Sequence, residues 1–159
     1  MMKEIANTLK ARKNFMMILD AVDEKGLNHI PQGFNNNIIW NFGHMIATQQ
    51  ILCYKLSGLD MHVDKAVIEA YRKGTKPEGM VTGDEIKRLR EFAVTTIDQL
   101  QKDFDEQRFQ EYHEYTTSFG VTLTDIHEGI HFNAMHEALH LGYAMALRRV
   151  IMKEMKPIH

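Results

Sequence analysis

A chain of 159 residues, 44% hydrophobic and 25% charged, is one domain's worth of sequence and long enough to bury a core without covalent staples. Its net charge of -2 gives no electrostatic reason to bind nucleic acid or an anionic membrane, and its single cysteine, Cys53, cannot close an internal disulfide, so a reducing cytoplasm is the expected compartment. The opening MMKEIANTLKARK lacks the pattern of a secretory signal, no apolar run reaches membrane-spanning length, and nine histidines against one cysteine restrict any metal site to nitrogen and oxygen ligands.

Ile5, Leu9, Phe15, Met16, Leu19 and Val22 recur at three- and four-residue steps, which predicts a first amphipathic helix from Lys3 to Glu24, ended at Gly26. Pro31 and Gly33 then break the pattern. Asn35, Asn36 and Asn37 each offer a side-chain oxygen to cap a second helix running to Leu56, with Gly58 as its stop. Between Gly58 and Gly83 the periodicity weakens: a short helix is expected near Val63 to Tyr71, followed by the turn-rich GTKPEGMVTG. A connection this long is expected to be partly helical or to cover a site. Thr82 with Glu85 three residues on reads as a capping box for a third helix, whose Ile86, Leu89, Ala93, Ile97, Leu100 and Phe104 follow at coiled-coil-like spacing.

Arg108 to Thr122 has a β-rich composition around Gly120, which predicts an extended loop or a small hairpin. Thr122 with Asp125 at the third helical position, flanked by Val121 and Ile126 as a hydrophobic staple, is expected to open a long fourth helix. It is expected to reach Met155, because Arg148, Arg149, Lys153 and Lys156 gather where the negative end of the helix dipole lies and Pro157 follows. Four long helices and little strand predict an all-α, up-and-down four-helix bundle. It has a long connection between its second and third helices and a small extended segment before the fourth, with residues 1–159 as a single domain.

The fourth helix contains HEGIHFNAMHEALH, two copies of H-E-x-x-H: His127 with His131, and His136 with His140. Histidines at i and i+4 stack on one helix face and can reach one metal. With nine histidines, chance alone supplies about half such a pair; requiring the glutamate lowers this to roughly 0.04, yet the pattern occurs twice. A nine-residue offset is about 900° at 100° per residue, so the two pairs lie half a turn apart and cannot serve one site. His136 and His140 share their face with Phe132, Leu139, Tyr143, Leu147 and Val150, and this larger apolar face is expected to look inward. His127 and His131 share theirs with Ala134, Ala138, Met145, Arg149 and Lys156, a face expected to be solvated or to pack on a partner chain. A buried histidine that is merely hydrogen-bonded is the plain alternative for the inward pair.

A zinc peptidase would take its third ligand downstream, but the positions that would carry a further glycine and histidine hold Tyr143 and Ala146, leaving only Glu154 and His159. The better candidate is His44, which shares one face of the second helix with Trp40, Asn41, Ala47, Thr48 and Ile51. Bundles build metal sites from side chains on facing helices, and three neutral imidazoles leave a fourth position for water or substrate.

NNIIWNFGHMIATQQ and NAMHEALHLGYAMALRR resemble the DinB-like superfamily, which carries W-x-x-x-H early and H-x-x-x-H-x-G late, here Trp40 to His44 and His136 to Gly142. The order, the separation and the total length agree, so the resemblance spans nearly the whole chain. It implies an up-and-down four-helix bundle, commonly a homodimer, in which His44, His136 and His140 hold a divalent metal, usually zinc or nickel. It further implies a small-molecule substrate and, as in characterised relatives, transfer of a low-molecular-weight thiol to a small electrophile. An open metal position fits that chemistry, since it can lower the pKa of a thiol as readily as that of water.

Two other functions stay open at this point: a metal-dependent hydrolase, and a non-enzymatic metal- or ligand-binding bundle, which a fourth position blocked by His62 or Glu137 would favour. Glu137 and Asn41 each lie one position round from a ligand face and are expected to orient an imidazole, with Glu137 also a candidate catalytic base. A solvated helix residue is the equal alternative for Glu137. Tyr143 and Trp40 are candidate pocket residues, although aromatics at helical spacing are more often plain core. Cys53 falls on the opposite side of its helix from His44 and is expected to be a buried hydrophobe, not a nucleophile.

Overall fold

The computed structural model describes residues 2–154. Met155, Lys156 and Pro157, expected at the end of the last helix, and His159, a candidate distant ligand, lie outside the described residues. The elements are α1 (Lys3–Asp20), α2 (Glu24–Asn28), α3 (Ile38–Cys53), α4 (Lys65–Tyr71), α5 (Gly83–Asp105) and α6 (Ile126–Glu154), with β1 (Tyr115–Thr116) paired antiparallel to β2 (Thr122–Leu123). Helices α1, α3, α5 and α6 form the bundle: α1 and α3 each pack against both α5 and α6. Among the described residues no helix is long and apolar enough to cross a membrane.

The first helix is shorter than its periodicity suggests. It stops at Asp20 because Asp23 adopts an extended conformation and caps a new helix, its side chain accepting the Gly26 N–H at 2.8 Å. Gly26 therefore sits buried inside α2 and does not end α1. Of the three asparagines offered as a cap for the next helix, Asn37 is used: its Oδ1 accepts the Trp40 N–H at 2.8 Å. Helix α3 ends at Cys53, and a single 3-10 turn at Lys55–Ser57 carries the chain to Gly58, whose φ of 68° completes the stop.

Helix α3 is the central element. Fourteen of its 16 residues are buried, so it is apolar nearly all round. Phe15 of α1 packs on its Phe42 with ring centroids 5.1 Å apart, and Ile39, Ile46, Leu89, Ala93, Leu147 and Ile151 continue the core. The two α3 residues that are not buried, Thr48 and Ile51, face the cavity described below.

Two capping boxes were expected, and the tertiary structure changes both. Thr82 accepts the Glu85 N–H, but the Glu85 carboxylate accepts the Tyr71 hydroxyl at 2.6 Å, so the reciprocal half of the box ties α5 to α4. At α6 the box lies three residues later than expected. Thr122 belongs to β2, and Asp125 accepts the Glu128 N–H at 2.9 Å, while Glu128 reaches back to the Thr124 N–H at 2.7 Å. Pairing Thr122 with Thr116 across the hairpin removes it from the helix end. Glu128, the glutamate of the first H-E-x-x-H copy, is thereby a capping residue.

Candidate metal centre

His44 on α3 and His136 and His140 on α6 come together. Their ring centroids lie 4.4 to 5.2 Å apart, and each offers one nitrogen within 4.8 Å of the others. The other pair does not join them: His127 and His131 are exposed, and His127 sits edge-on against Phe104. The two copies thus lie on different sides of α6.

The hydrogen-bond partners fix how the rings present themselves. His44 Nδ1 lies 2.7 Å from the Tyr71 carbonyl oxygen, which can only accept, so Nδ1 carries the proton and Nε2 keeps its lone pair. The Asn41 amide donates to Asn36 Oδ1 at 2.9 Å and to the Asn37 carbonyl at 2.7 Å. Its oxygen is therefore the atom 2.8 Å from His140 Nδ1, and it selects the same tautomer there. His136 Nε2 lies 3.1 Å from His140 Nε2, while its own Nδ1 is buried with no partner among the described residues.

Protein atoms alone leave His136 unsatisfied in either neutral tautomer. A proton on Nε2 bonds to His140 but strands a bare Nδ1, whereas a proton on Nδ1 strands a donor and sets two lone pairs face to face. A cation between the two Nε2 atoms removes that second conflict, and an all-imidazole set suits a borderline divalent ion of the zinc or nickel kind. The residues therefore fit such an ion. Charge agrees: burial, reinforced by the neighbouring His140 and His44, lowers the His136 pKa to about 3. Burial and His44 lower His140 to about 4, and burial lowers His44 against the opposing pull of the Tyr71 carbonyl. All three rings are neutral at pH 7, the form that ligates.

The packing behind His44 explains the residues around it. Trp40 stacks on the His44 ring at 4.7 Å and 11° between planes, while its indole N–H donates to Thr75 Oγ1 at 3.1 Å. A Cβ on Gly43 would lie 2.5 Å from the Tyr71 ring, so only glycine before His44 lets α4 approach and bring the Tyr71 carbonyl to Nδ1. Asn41 meets the expectation of orienting an imidazole. Tyr143 packs edge-on against Phe34 at 5.6 Å, and neither it nor Trp40 lines the cavity beside the triad.

Glu137 departs from both environments expected for it. It is fully buried and paired with the fully buried Arg12 of α1, through Nε to Oε2 at 2.9 Å and a second guanidinium nitrogen to Oε1 at 2.7 Å. Asn133 also donates to Oε1 at 3.0 Å, so the expected contact with a ligand imidazole is not formed. The buried stripe of α6 runs through Ile126, Ile130, Asn133, Glu137, Ala144, Leu147 and Ile151. That is displaced by roughly one residue step of 100° from the face expected inward. His140 falls within it, His136 beside it, and Leu139, expected inward, is 50% exposed. His62 is also elsewhere: its ring lies against Tyr54 and its Nε2 is 3.5 Å from Asp103. Glu154 accepts His29 at 2.7 Å. Cys53 is buried, and burial pushes its thiol up to about 12, as befits a packed hydrophobe.

A cavity of about 220 Å3 opens beside the triad. Thr48, Ile51 and Leu52 of α3 form one wall, Phe132 and Leu139 of α6 another, and Thr117, Ser118 and Phe119 at the hairpin tip a third. Gly120, at φ 74°, makes the turn that brings the tip there. The hairpin was legible from its β-rich composition, but nothing in that composition pointed it at the histidines.

A model of the DinB superfamily matches residues 8–144 of the chain. A conserved protein from Enterococcus faecalis, known from its crystal structure, superposes with a TM-score of 0.66 over 94% of this chain and 95% of that one, at 13% identity. At that identity the likeness concerns the fold alone. No curated protein matches the chain.

Proposed function

This chain belongs to the DinB superfamily, and on that premise we propose that His44, His136 and His140 hold one divalent cation, zinc or nickel, in an enzyme that directs a nucleophile onto a small electrophilic substrate. A low-molecular-weight thiol is the first choice of nucleophile. The observation that carries this reading is the clustering of three neutral imidazoles, with nitrogens within 4.8 Å of one another beside a cavity, two of them with Nδ1 engaged by acceptors so that Nε2 keeps its lone pair. Bound there, the ion supplies Lewis acidity, which lowers the pKa of a thiol or water that reaches it.

The remaining work falls to the chain's own groups. The Tyr71 carbonyl and Asn41 hold the imidazoles in the ligating tautomer, and Trp40 keeps the His44 ring in plane. Ile51, Phe132 and Leu139 present apolar surface to whatever enters, limiting water at the reacting atoms. His62 and Glu137, the groups whose approach would favour a closed, non-enzymatic site, are engaged by Asp103 and by Arg12. We assign Glu137 to holding α6 against α1, with no proton-transfer role.

Protein purified without chelator and soaked with zinc or nickel is expected to retain about one ion per chain by elemental analysis, the count for a single three-histidine centre. The loaded protein is expected to consume a thiol in the presence of a reactive electrophile, with esters and amides assayed alongside. No retained metal removes the site; metal with ester cleavage and no thiol transfer replaces the transferase with a hydrolase. A second measurement addresses the orienting amide: Asn41→Leu is expected to weaken zinc binding by about 10- to 100-fold, read by competition with a chromophoric chelator. Unchanged affinity in that variant contradicts the role given to the Asn41 to His140 hydrogen bond.

A further inference from the structure

We propose that the cavity beside the triad selects a small anionic substrate: an apolar body about the size of an aromatic ring, carrying a carboxylate or similar anion that pairs with Lys73. The inference rests on the reading of His44, His136 and His140 as the reactive site, and names the class of molecule that site accepts.

Size and lining set the apolar part. A cavity of about 150 Å3 walled by aliphatic and aromatic side chains accommodates benzene, so the roughly 220 Å3 here takes such a ring with a short substituent. Ile51, Leu52, Phe119, Phe132 and Leu139 supply the apolar wall. Phe119 and Leu139, on the hairpin and on α6, are 54% and 50% exposed, apolar surface that a bound molecule of this kind would cover.

Charge sets the rest. Lys73 lines the cavity, and no aspartate or glutamate does. Among the described residues Lys73 makes no ion pair, although its neighbour Arg72 is paired with Glu69. Its backbone is held from both sides. Tyr71, two residues before it, gives its carbonyl to His44, and Thr75, two residues after it, accepts the Trp40 indole N–H and donates to the Ala70 and Arg72 carbonyls. Gly74, at φ 90°, makes the turn between these ties. The backbone that carries an otherwise exposed lysine is thus held beside a cavity whose lining has no negative charge, which is how a pocket recognises an anion.

The test titrates isotopically labelled protein with 3-phenylpropionate and with its neutral isostere 3-phenylpropanamide, following the amide resonances of Thr48, Phe119 and Leu139. Wild type and Lys73→Met are each compared metal-free and zinc-loaded. Wild type is expected to bind the acid about three- to tenfold more tightly than the amide, the range for a partly exposed charge pair. Lys73→Met is expected to lose that preference while keeping its affinity for the amide and its zinc content. The proposal is overturned if neither compound shifts those resonances, if wild type shows no preference, or if the preference survives in Lys73→Met. Survival only in the zinc-loaded variant would place the anion on the metal. The metal-free titrations read Lys73 independently, so a failure of zinc to bind is seen separately as absent metal.

Discussion

His136→Ala is expected to strip the protein of its metal, whereas His127→Ala is expected to leave metal content and affinity unchanged. Both residues open an H-E-x-x-H sequence on the same helix, so a role read from the motif alone predicts equal losses. The tertiary structure predicts unequal ones. His136 Nε2 stands 3.1 Å from His140 Nε2 beside His44, while His127 lies on the exposed side of α6 against Phe104. Losing a ligand must exceed the roughly 100-fold cost of losing an outer-shell partner. Elemental analysis of the two purified variants, with circular dichroism to confirm helix content, reads the result. Equal loss from both would contradict the assignment of faces, and retained metal in His136→Ala would remove His136 from the ligand set.

Arg12→Ala is expected to be the most destabilising single change outside the apolar core. The guanidinium spends its donors on Glu137, on the Ala93 carbonyl at 3.1 Å and on Thr96 Oγ1 at 2.8 Å, with no exposed surface on either member of the ion pair. Removing it leaves a buried carboxylate with only Asn133 for a partner, a loss on the order of 3–5 kcal/mol. At about 2–4 °C per kcal/mol for a chain of this size, the melting midpoint should fall by roughly 6 to 20 °C. The double variant Arg12→Met with Glu137→Leu is expected to regain most of that loss, because an apolar pair of similar volume avoids the desolvation cost of both charges. The same double variant separates two roles for Glu137. Where the proposed thiol transfer is found in the wild type, its full retention in the metal-loaded double variant fits a group that fixes α6 in place; activity lost from a stable, metal-loaded protein would make Glu137 a participant in the chemistry.

The elements that were legible share one property, that their signals are local. Ile86 to Phe104 announced α5 by spacing, Asn37 was among three adjacent caps, and Gly58 stops the 3-10 turn that follows α3, which itself ends three residues short of the expected Leu56. His44 could be picked out because Trp40, Ala47 and Ile51 surround it on one face, and the family motifs fell on the same three histidines. Gly43 also carries a local signal, since a glycine inside a helix pattern often marks a close backbone approach. The misplaced boundaries are also local, but they turn on competition between adjacent caps. Asp23 interrupted α1, and Asp125 with Glu128 displaced Thr122, because each offered a carboxylate to free N–H groups where the chain also had to turn.

The sequence by itself determined that this is an all-α bundle, that any metal site lacks thiolate pairs and uses nitrogen or oxygen ligands, and which histidines share a face. These follow from composition and from the fixed 100° step of a helix, which need no knowledge of neighbours. Only the tertiary structure decided the fate of Glu137, whose partner Arg12 is 125 residues away, and of His44 and His140, whose tautomers depend on a Tyr71 carbonyl and an Asn41 amide. It alone also brought the hairpin tip and Lys73 to the cavity. A buried charge is stable only beside a specific opposite charge, and the tautomer of a ring is set by whichever acceptor reaches it, so both are properties of packing between elements that no periodicity within one element encodes.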